Sequence, residues 1–266
     1  MKIITLAENL VTSGGFYAEH GLSMFIQTDN RKILFDTGQS DVFIKNAGKL
    51  GIDLSEIDVL VLSHGHYDHT GGLNEFVKIN SKATVLAKKD IFVPKFSGKT
   101  RFIGLEYNEK LARRISFVDS LSQIDDDLFV CPEIKITYPE DTNFRMLYKR
   151  EGVPFYPDDF TDELFLTIRG KEKISIITAC SHRGISNICS AAVNCFKLPV
   201  KMIIGGFHMK DCEIAQYNHI VKYLRNLKPE IIGTCHCTGV EGYARLKNDL
   251  DGKVFYNFTG NEINIM

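Results

Sequence analysis

Ile57-Asp58-Val59-Leu60-Val61-Leu62-Ser63-His64-Gly65-His66-Tyr67-Asp68-His69 is the stretch that decides how this chain is read. The apolar run has the length and composition of a buried strand, and it delivers four metal-type side chains within six residues. His64 and His66 are two apart and share a direction while the chain stays extended. Asp68 and His69 fall in the following turn and reach a second point nearby, so the motif has room for two ions. Imidazole plus carboxylate suits one or two divalent ions, zinc first with iron or manganese as alternatives, and such an ion lowers the pKa of bound water to about 7. The bland alternative is a histidine-rich surface turn, against which this spacing on a strand end argues.

The chain of 266 residues, 44% of them hydrophobic, is long enough to bury a large core, as one α/β domain or two smaller ones; length alone does not decide, and the reading of 1–266 as a single domain comes from the resemblance given below. Thirty-two basic against thirty-three acidic residues leave a formal charge of −1. That balance gives no overall drive toward nucleic acid or an anionic membrane, and neither is expected as a partner. Seven cysteines, an odd number, fit reduced thiols in a cytoplasmic protein better than a disulfide framework. Residues 1–8 break their apolar run too early for a signal peptide, and no stretch of about 18 apolar residues is present, so a soluble cytoplasmic protein is expected.

On the N-terminal side of the motif, residues 22–28 and 32–36 form two short β-type runs around Asp29-Asn30-Arg31, a hairpin that ends at Asp36-Thr37-Gly38. Val42, Phe43, Ala47 and Leu50 then recur at helical spacing, with Ser40 or Asp41 as N-cap and Gly51 as the stop. The same order returns in residues 163–168 and 173–178, the turn Ala179-Cys180-Ser181-His182, and a helix carrying Ile185, Ile188, Ala192, Cys195 and Phe196 on one face. A buried strand over 200–204 then leads through Gly205-Gly206-Phe207 to His208. From Asp36 to His64 and from Cys180 to His208 the spacing is 28 residues in both cases, which suggests two related ββαβ halves. A third unit has a helix over 214–227, a strand over 231–234 opening onto His236, a short helix over 243–250, and a final hairpin of 254–258 with 262–265. Residues 94–160 have mixed charge and weak periodicity, with four of the seven prolines between 132 and 157, and read as an insertion over the edge of the site. There Phe144, Tyr148, Phe155, Tyr156 and Phe160 with Arg145, Lys149 and Arg150 either stack on an aromatic, anionic substrate or pack on the domain surface.

Phe35-Asp36-Thr37-Gly38, His64-x-His66-x-Asp68-His69 and the late His236 together resemble the metallo-β-lactamase fold superfamily over nearly the whole chain. Ala18-Glu19-His20-Gly21-Leu22-Ser23, residues 62–73, Cys180-Ser181-His182, Gly205-Gly206-Phe207-His208 and His236-Cys237-Thr238-Gly239 are more narrowly similar to the 7,8-dihydropterin-6-ylmethyl-4-(β-D-ribofuranosyl)aminobenzene 5′-phosphate synthase group, related by role to dihydropteroate synthase. The resemblance implies an α/β fold, a four-layer αββα sandwich with metals at the open edge of its sheets. It implies that His64 and His66 hold a first ion, that Asp68 and His69 hold a second completed by His236, and that Asp36 supports the ligand turn by hydrogen bonds without touching metal. The chain departs from the superfamily pattern in having no histidine from residue 70 to 181 and in placing Cys180 roughly where a bridging aspartate is usual. His182 is assigned here as the missing ligand, with Cys180 read either as a thiolate ligand or as a small residue in a tight turn.

Asp68 and His208 are the candidate catalytic groups, His208 also as a phosphate contact or a metal ligand. Arg183, with the helix start near Gly184, and Thr238, with Gly239, are the candidate contacts to a phosphorylated small-molecule substrate. Cys235 and Cys237 flank His236 and, on an extended chain, point away from it into packing, while His20 and His219 read as structural or surface residues. The resulting expectation is a metal-dependent hydrolase or transferase acting on phosphoester or pyrophosphate bonds, on a substrate that is pterin-like or aromatic. Two other classes compete: a metal-poor sensor that binds such a molecule, and a di-iron oxidoreductase, whose motif would carry glutamate where His66 stands.

Overall fold

Parallel strands cannot be joined by tight turns, and this chain meets that constraint in both of its large sheets with helices that cross over between successive parallel strands. The computed structural model of the protein describes residues 1–250 and 253–265. Its backbone divides into two compact units, Met1–Asp119 with Arg145–Asp162 and Phe258–Met266, and Ser120–Phe144 with Glu163–Asn257.

In the first unit a seven-stranded sheet runs in the order Glu262–Asn264, Lys2–Ala7, Ser23–Gln27, Lys32–Phe35, Val59–Val61, Thr84–Ala87, Ile115–Phe117. Pairing is antiparallel up to Lys32–Phe35 and parallel beyond it. The hairpin of residues 28–31 closes on the Thr28 hydroxyl, which accepts from the Arg31 amide at 2.8 Å. Helices Val42–Lys49 and Leu73–Ile79 bury Phe43, Ala47, Leu73 and Phe76 in one apolar cluster with Ile4, Leu34 and Leu60 of the strands. A second, four-stranded antiparallel sheet in this unit has the order Phe155–Pro157, Leu147–Arg150, Lys95–Ser97, Arg101–Phe102.

The second unit repeats the arrangement in the order Val254–Tyr256, Ile231–Thr234, Val200–Gly205, Ile174–Ile177, Phe165–Arg169, Leu128–Cys131, Ser122–Asp125. Its first four strands are parallel and the rest antiparallel. Helices Ile185–Phe196, Ile214–Leu227 and Gly239–Asp249 pack Ile188, Ala192, Ile220, Leu224 and Leu246 with Ile176, Ile203 and Ile232. The two sheets therefore share one strand topology. They do not match residue for residue: Phe35 pairs with Val61 and Ile177 with Ile204, and the second pairing carries a register shift between Ile174 and Ser175. Asp36 directly follows its strand, whereas Cys180 lies three residues beyond Ile177, so the equal 28-residue spacing joins positions that are not equivalent.

Three expectations change. Residues 94–160 are not one insertion, because Ile115–Phe117 is an edge of the first large sheet and Ser122–Asp125 with Leu128–Cys131 belong to the second. Strands of two to four residues with mixed charge hide the period-2 signal there. Residues 254–265 are not a hairpin, since Val254–Tyr256 pairs parallel to Ile231–Thr234 while Glu262–Asn264 pairs antiparallel to Lys2–Ala7. The last helix begins at Gly239, four residues earlier than its apolar pattern signalled. Among the described residues, no helix is long and apolar enough to cross a membrane.

Gly205 ends its strand at φ 140°, and a Cβ there would stand 2.1 Å from the carbonyl oxygen of Thr178, just past the end of the neighbouring strand. Gly205→Ala is expected to cost about 2 kcal/mol or more, because the obstacle is backbone rather than a flexible side chain. Urea unfolding of the variant measures this; an unchanged midpoint would mean the two strand ends separate without penalty.

Candidate functional site

Every residue named as a candidate ligand or catalytic group lies just past the carboxyl end of a strand in the parallel half of a sheet, the edge at which open α/β sheets bind ligands. The backbone turns sharply there. Asp36, Ser181, His208 and His236 all adopt left-handed conformations, with φ between 49° and 59°, which non-glycine residues occupy mainly in tight, over-determined turns.

In the first unit the organising group is Asp36, fully buried directly after Phe35. Its Oδ1 accepts the Ser63 amide at 2.7 Å, and its Oδ2 accepts the Ser63 hydroxyl at 2.6 Å and His69 Nδ1 at 2.7 Å. A carboxylate oxygen only accepts, so His69 carries its proton on Nδ1 and its lone pair on Nε2. The Ser63 hydroxyl has one proton and spends it on Asp36. Toward His64 Nδ1, 2.9 Å away, the same oxygen can therefore only accept. His64 is thus also protonated on Nδ1 with its lone pair on Nε2, and one carboxylate sets both tautomers. The Thr37 amide and hydroxyl hold the His69 carbonyl at 2.8 and 3.0 Å, pinning the residue by its backbone as well.

His66 is extended and begins the short helix Tyr67–Thr70, which turns Asp68 and His69 back beside it. The His64 ring centroid lies 4.7 Å from that of His66 and 4.4 Å from that of His69. Asp68 Oδ2 is 3.8 Å from His69 Nε2 and 3.2 Å from Nε2 of the exposed His20. His64, His66, Asp68 and His69 are thus brought together, and His20, read as structural or surface, pairs with Asp68.

In the second unit His182 is buried in the turn after Ile174–Ile177. Glu163 accepts the amides of His182 and Arg183, each at 2.7 Å, and the Asn143 carbonyl accepts from His182 Nδ1 at 3.3 Å. A carbonyl only accepts, so His182 too presents its lone pair on Nε2. The half-buried His208 places its ring 4.5 Å from that of His182. His236 sits in a tight turn over His236–Thr238, and its ligand atom lies within 4.8 Å of the thiols of Cys180 and Cys237.

Several assignments are corrected. Cys237 does not point away from His236 into packing, because the left-handed His236 breaks the alternation of an extended chain; its sulfur accepts the His208 amide at 3.3 Å. The helix start expected to receive phosphate beside Arg183 is already occupied by a carboxyl group: Asp141 Oδ2 accepts the Ser186 amide at 2.6 Å, and Arg183 Nε donates to the Ile134 carbonyl at 3.1 Å. Thr238 is fully buried with its hydroxyl accepting from the Phe207 amide at 2.9 Å, which makes it a brace for the His208 turn rather than a substrate contact. Phe160 is fully buried and cannot stack on a ligand, and Lys149 pairs with Asp159 at 2.7 Å. Sequence reasoning missed Ser63, Asn143 and Glu163. Only Ser63 carried a signal, as the last residue before the histidines; the other two act from distant segments.

Residues 17–185 match the model of the metallo-β-lactamase superfamily. A protein of Methanocaldococcus jannaschii named 7,8-dihydropterin-6-methyl-4-(β-D-ribofuranosyl)-aminobenzene-5′-phosphate synthase is 32% identical over 260 residues, 90% of this chain and 88% of its own length. An uncharacterized protein of the same organism is 33% identical over 239 residues, 87% of this chain and 88% of its own. The crystal structure of Tm1679, described as a metal-dependent hydrolase of the β-lactamase superfamily, is 33% identical with a TM-score of 0.88, covering 100% of this chain and 99% of that one. The α/β fold class read from the sequence is that of these relatives.

Two outcomes are expected. Asp36→Asn, which cannot accept all three of the hydrogen bonds that set the tautomers, should weaken metal affinity by about tenfold to a hundredfold in chelator competition; wild-type affinity would remove Asp36 from its assigned role. The second concerns Asp141, whose carboxyl is pushed by burial from 3.8 up to about 7 against the opposing pull of the Ser186 hydrogen bond. Because the folded state holds this proton more tightly than the unfolded chain, the stabilisation is complete below about pH 4 and is lost as pH rises through about 7. Asp141→Asn should therefore gain in melting temperature relative to wild type between those values and keep a constant margin above them; a parallel pH profile for the two proteins would contradict it.

Proposed function

The chain belongs to the metallo-β-lactamase superfamily, and from that premise we propose that it is a metal-dependent enzyme acting on a phosphorylated, pterin-like or otherwise aromatic small molecule. The observation that carries the proposal is the proton placement imposed by Asp36: His64 and His69, fixed within one short motif, both turn an Nε2 lone pair outward from the hydrogen-bonded side of the ring. Such a donor set fits a divalent cation, zinc foremost. In this reading His64, His66, Asp68 and His69 are ligands, and His182 and His236 are the further ligands assigned from the sequence. When bound, one or two such ions supply Lewis acidity, activating water or stabilising a leaving phosphate oxyanion.

The remaining roles fall to the chain's own groups. Asp68, already an acceptor for His20, is placed to hold a proton or orient a nucleophile. His208 is partly exposed and its backbone is braced by Cys237, so its ring can present a proton or a cationic edge to a phosphate. Arg150 lies 5.0 Å over the ring of Phe96 and 5.6 Å over that of Phe155, and Lys99 lies 5.1 Å over Tyr148, a pairing of flat apolar faces with positive charge that suits an aromatic anion. The named relative supports a condensation: a dihydropterin diphosphate would lose pyrophosphate as an arylamine nitrogen forms the new C–N bond and gives up its proton.

Incubating zinc-loaded protein with a dihydropterin diphosphate and an arylamine should yield the condensed product and pyrophosphate. Cleavage of generic phosphodiesters with no condensed product would reject the synthase reading. His66→Ala and His182→Ala should each lower metal content and activity together; full metal in His182→Ala would remove that residue from the ligand set.

A further inference from the structure

Lys95 is buried to 2% exposure in the first unit, between two carboxylates that are buried as deeply. Its Nζ lies 2.7 Å from Asp158 Oδ2 and 2.9 Å from Asp162 Oδ1. One cation faces two acids away from water, an arrangement whose desolvation cost makes it a poor device for stability alone. The second oxygen of Asp162 accepts the amide of Gly65 at 2.7 Å, and Gly65 is the residue between His64 and His66. A Cβ on Gly65 would lie 2.4 Å from the Ile91 carbonyl oxygen and 3.2 Å from both Asp162 Oδ2 and Lys95 Cε, so the triad presses directly against the motif backbone. Asp158 contributes differently. Its Oδ1 accepts the amide of Phe160 at 2.9 Å, holding that residue in a left-handed turn at φ 50°. The Phe160 ring stands 5.0 Å from Lys95 Nζ and 5.2 Å from the His66 ring, edge on.

We propose that Asp162 is a positioning residue: pinned by Lys95, its carboxylate fixes the Gly65 peptide and with it the directions in which His64 and His66 project. The inference rests on the reading of those two histidines as metal ligands and adds the residues that aim them. Asp158 completes the ion cluster and shapes the Phe160 turn without touching the motif. A charged clamp suits this task because Gly65 has no side chain of its own to restrict its backbone dihedrals, so its peptide plane needs an outside partner to fix it.

Two variants remove the same charge from different places. Asp162→Ala leaves Lys95 paired with Asp158 and deprives Gly65 of its acceptor; Asp158→Asn leaves Lys95 paired with Asp162 and the Gly65 bond intact. Zinc affinity by chelator competition should fall about tenfold or more in Asp162→Ala and stay within about twofold of wild type in Asp158→Asn. The Co2+ absorption spectrum should shift only in Asp162→Ala. Asp162→Asn, which keeps an acceptor oxygen for Gly65, should recover most of the affinity. Amide hydrogen exchange in residues 62–67, measured without metal, should accelerate in Asp162→Ala alone. Equal losses in Asp158→Asn and Asp162→Ala, or unchanged exchange in Asp162→Ala, would overturn the proposal. If wild type takes up no zinc, the ligand reading falls, and the exchange comparison still decides whether the clamp exists. Where Asp162→Ala fails to fold, Asp162→Leu fills the vacated volume and carries the same expectations.

Discussion

One buried carboxylate, Asp36, governs the chemistry available to the histidine motif. It has no water to satisfy it, so its oxygens take the Ser63 amide, the Ser63 hydroxyl and the His69 imidazole. Each of these is a donor, and that directionality fixes where the protons lie on two separate rings. The geometry requires the chain to reverse immediately after Phe35, which explains why the acid sits at a left-handed residue. Aspartate tolerates that conformation better than most residues because its short polar side chain can bond locally.

Sheet topology decides which residues can join such a site. In each unit a tight turn, residues 28–31 in one and 170–173 in the other, joins the antiparallel pair that borders the parallel strands, while the parallel strands release the chain at one edge and recover it through a helix. Loops at that edge carry Asp36 and the 63–69 segment in one unit, and Cys180, His182, His208 and His236 in the other. The rigid strand ends set positions, and the left-handed turns aim side chains that strand alternation alone would send elsewhere. Cys237 is the instance: alternation directs it into packing, and the turn at His236 brings its sulfur to the His208 amide.

How much of this is legible in the sequence follows from the range of the interactions. The hairpin of residues 22–36, the helices Ile185–Phe196 and Ile214–Leu227 and the strand Ile231–Thr234 are written in local periodicity and recovered within a residue or two. The motif was legible for the same reason, since its ligand-type residues are neighbours. Partners far apart in the chain leave no local trace. Nothing near Gly65 announces that a carboxylate 97 positions away will hold its amide. Asp141 likewise looks like one more loop acid, and only the fold makes it the cap of the helix that follows His182. Short strands in 94–160 fail for a third reason: two to four residues are too few to display alternation.

The outermost strand of the first large sheet, Glu262–Asn264, pairs with Lys2–Ala7, joining the two ends of the sequence in one ladder. During synthesis on the ribosome, Lys2–Ala7 can acquire Ser23–Gln27 on one side almost at once, whereas its other side stays an unpaired row of amides and carbonyls until residues 262–264 have been translated. Until then the growing chain carries an adhesive border made of apolar sequence. The interval in which it is vulnerable to strand-mediated self-association is set by elongation speed, not by the folding rate of either sheet.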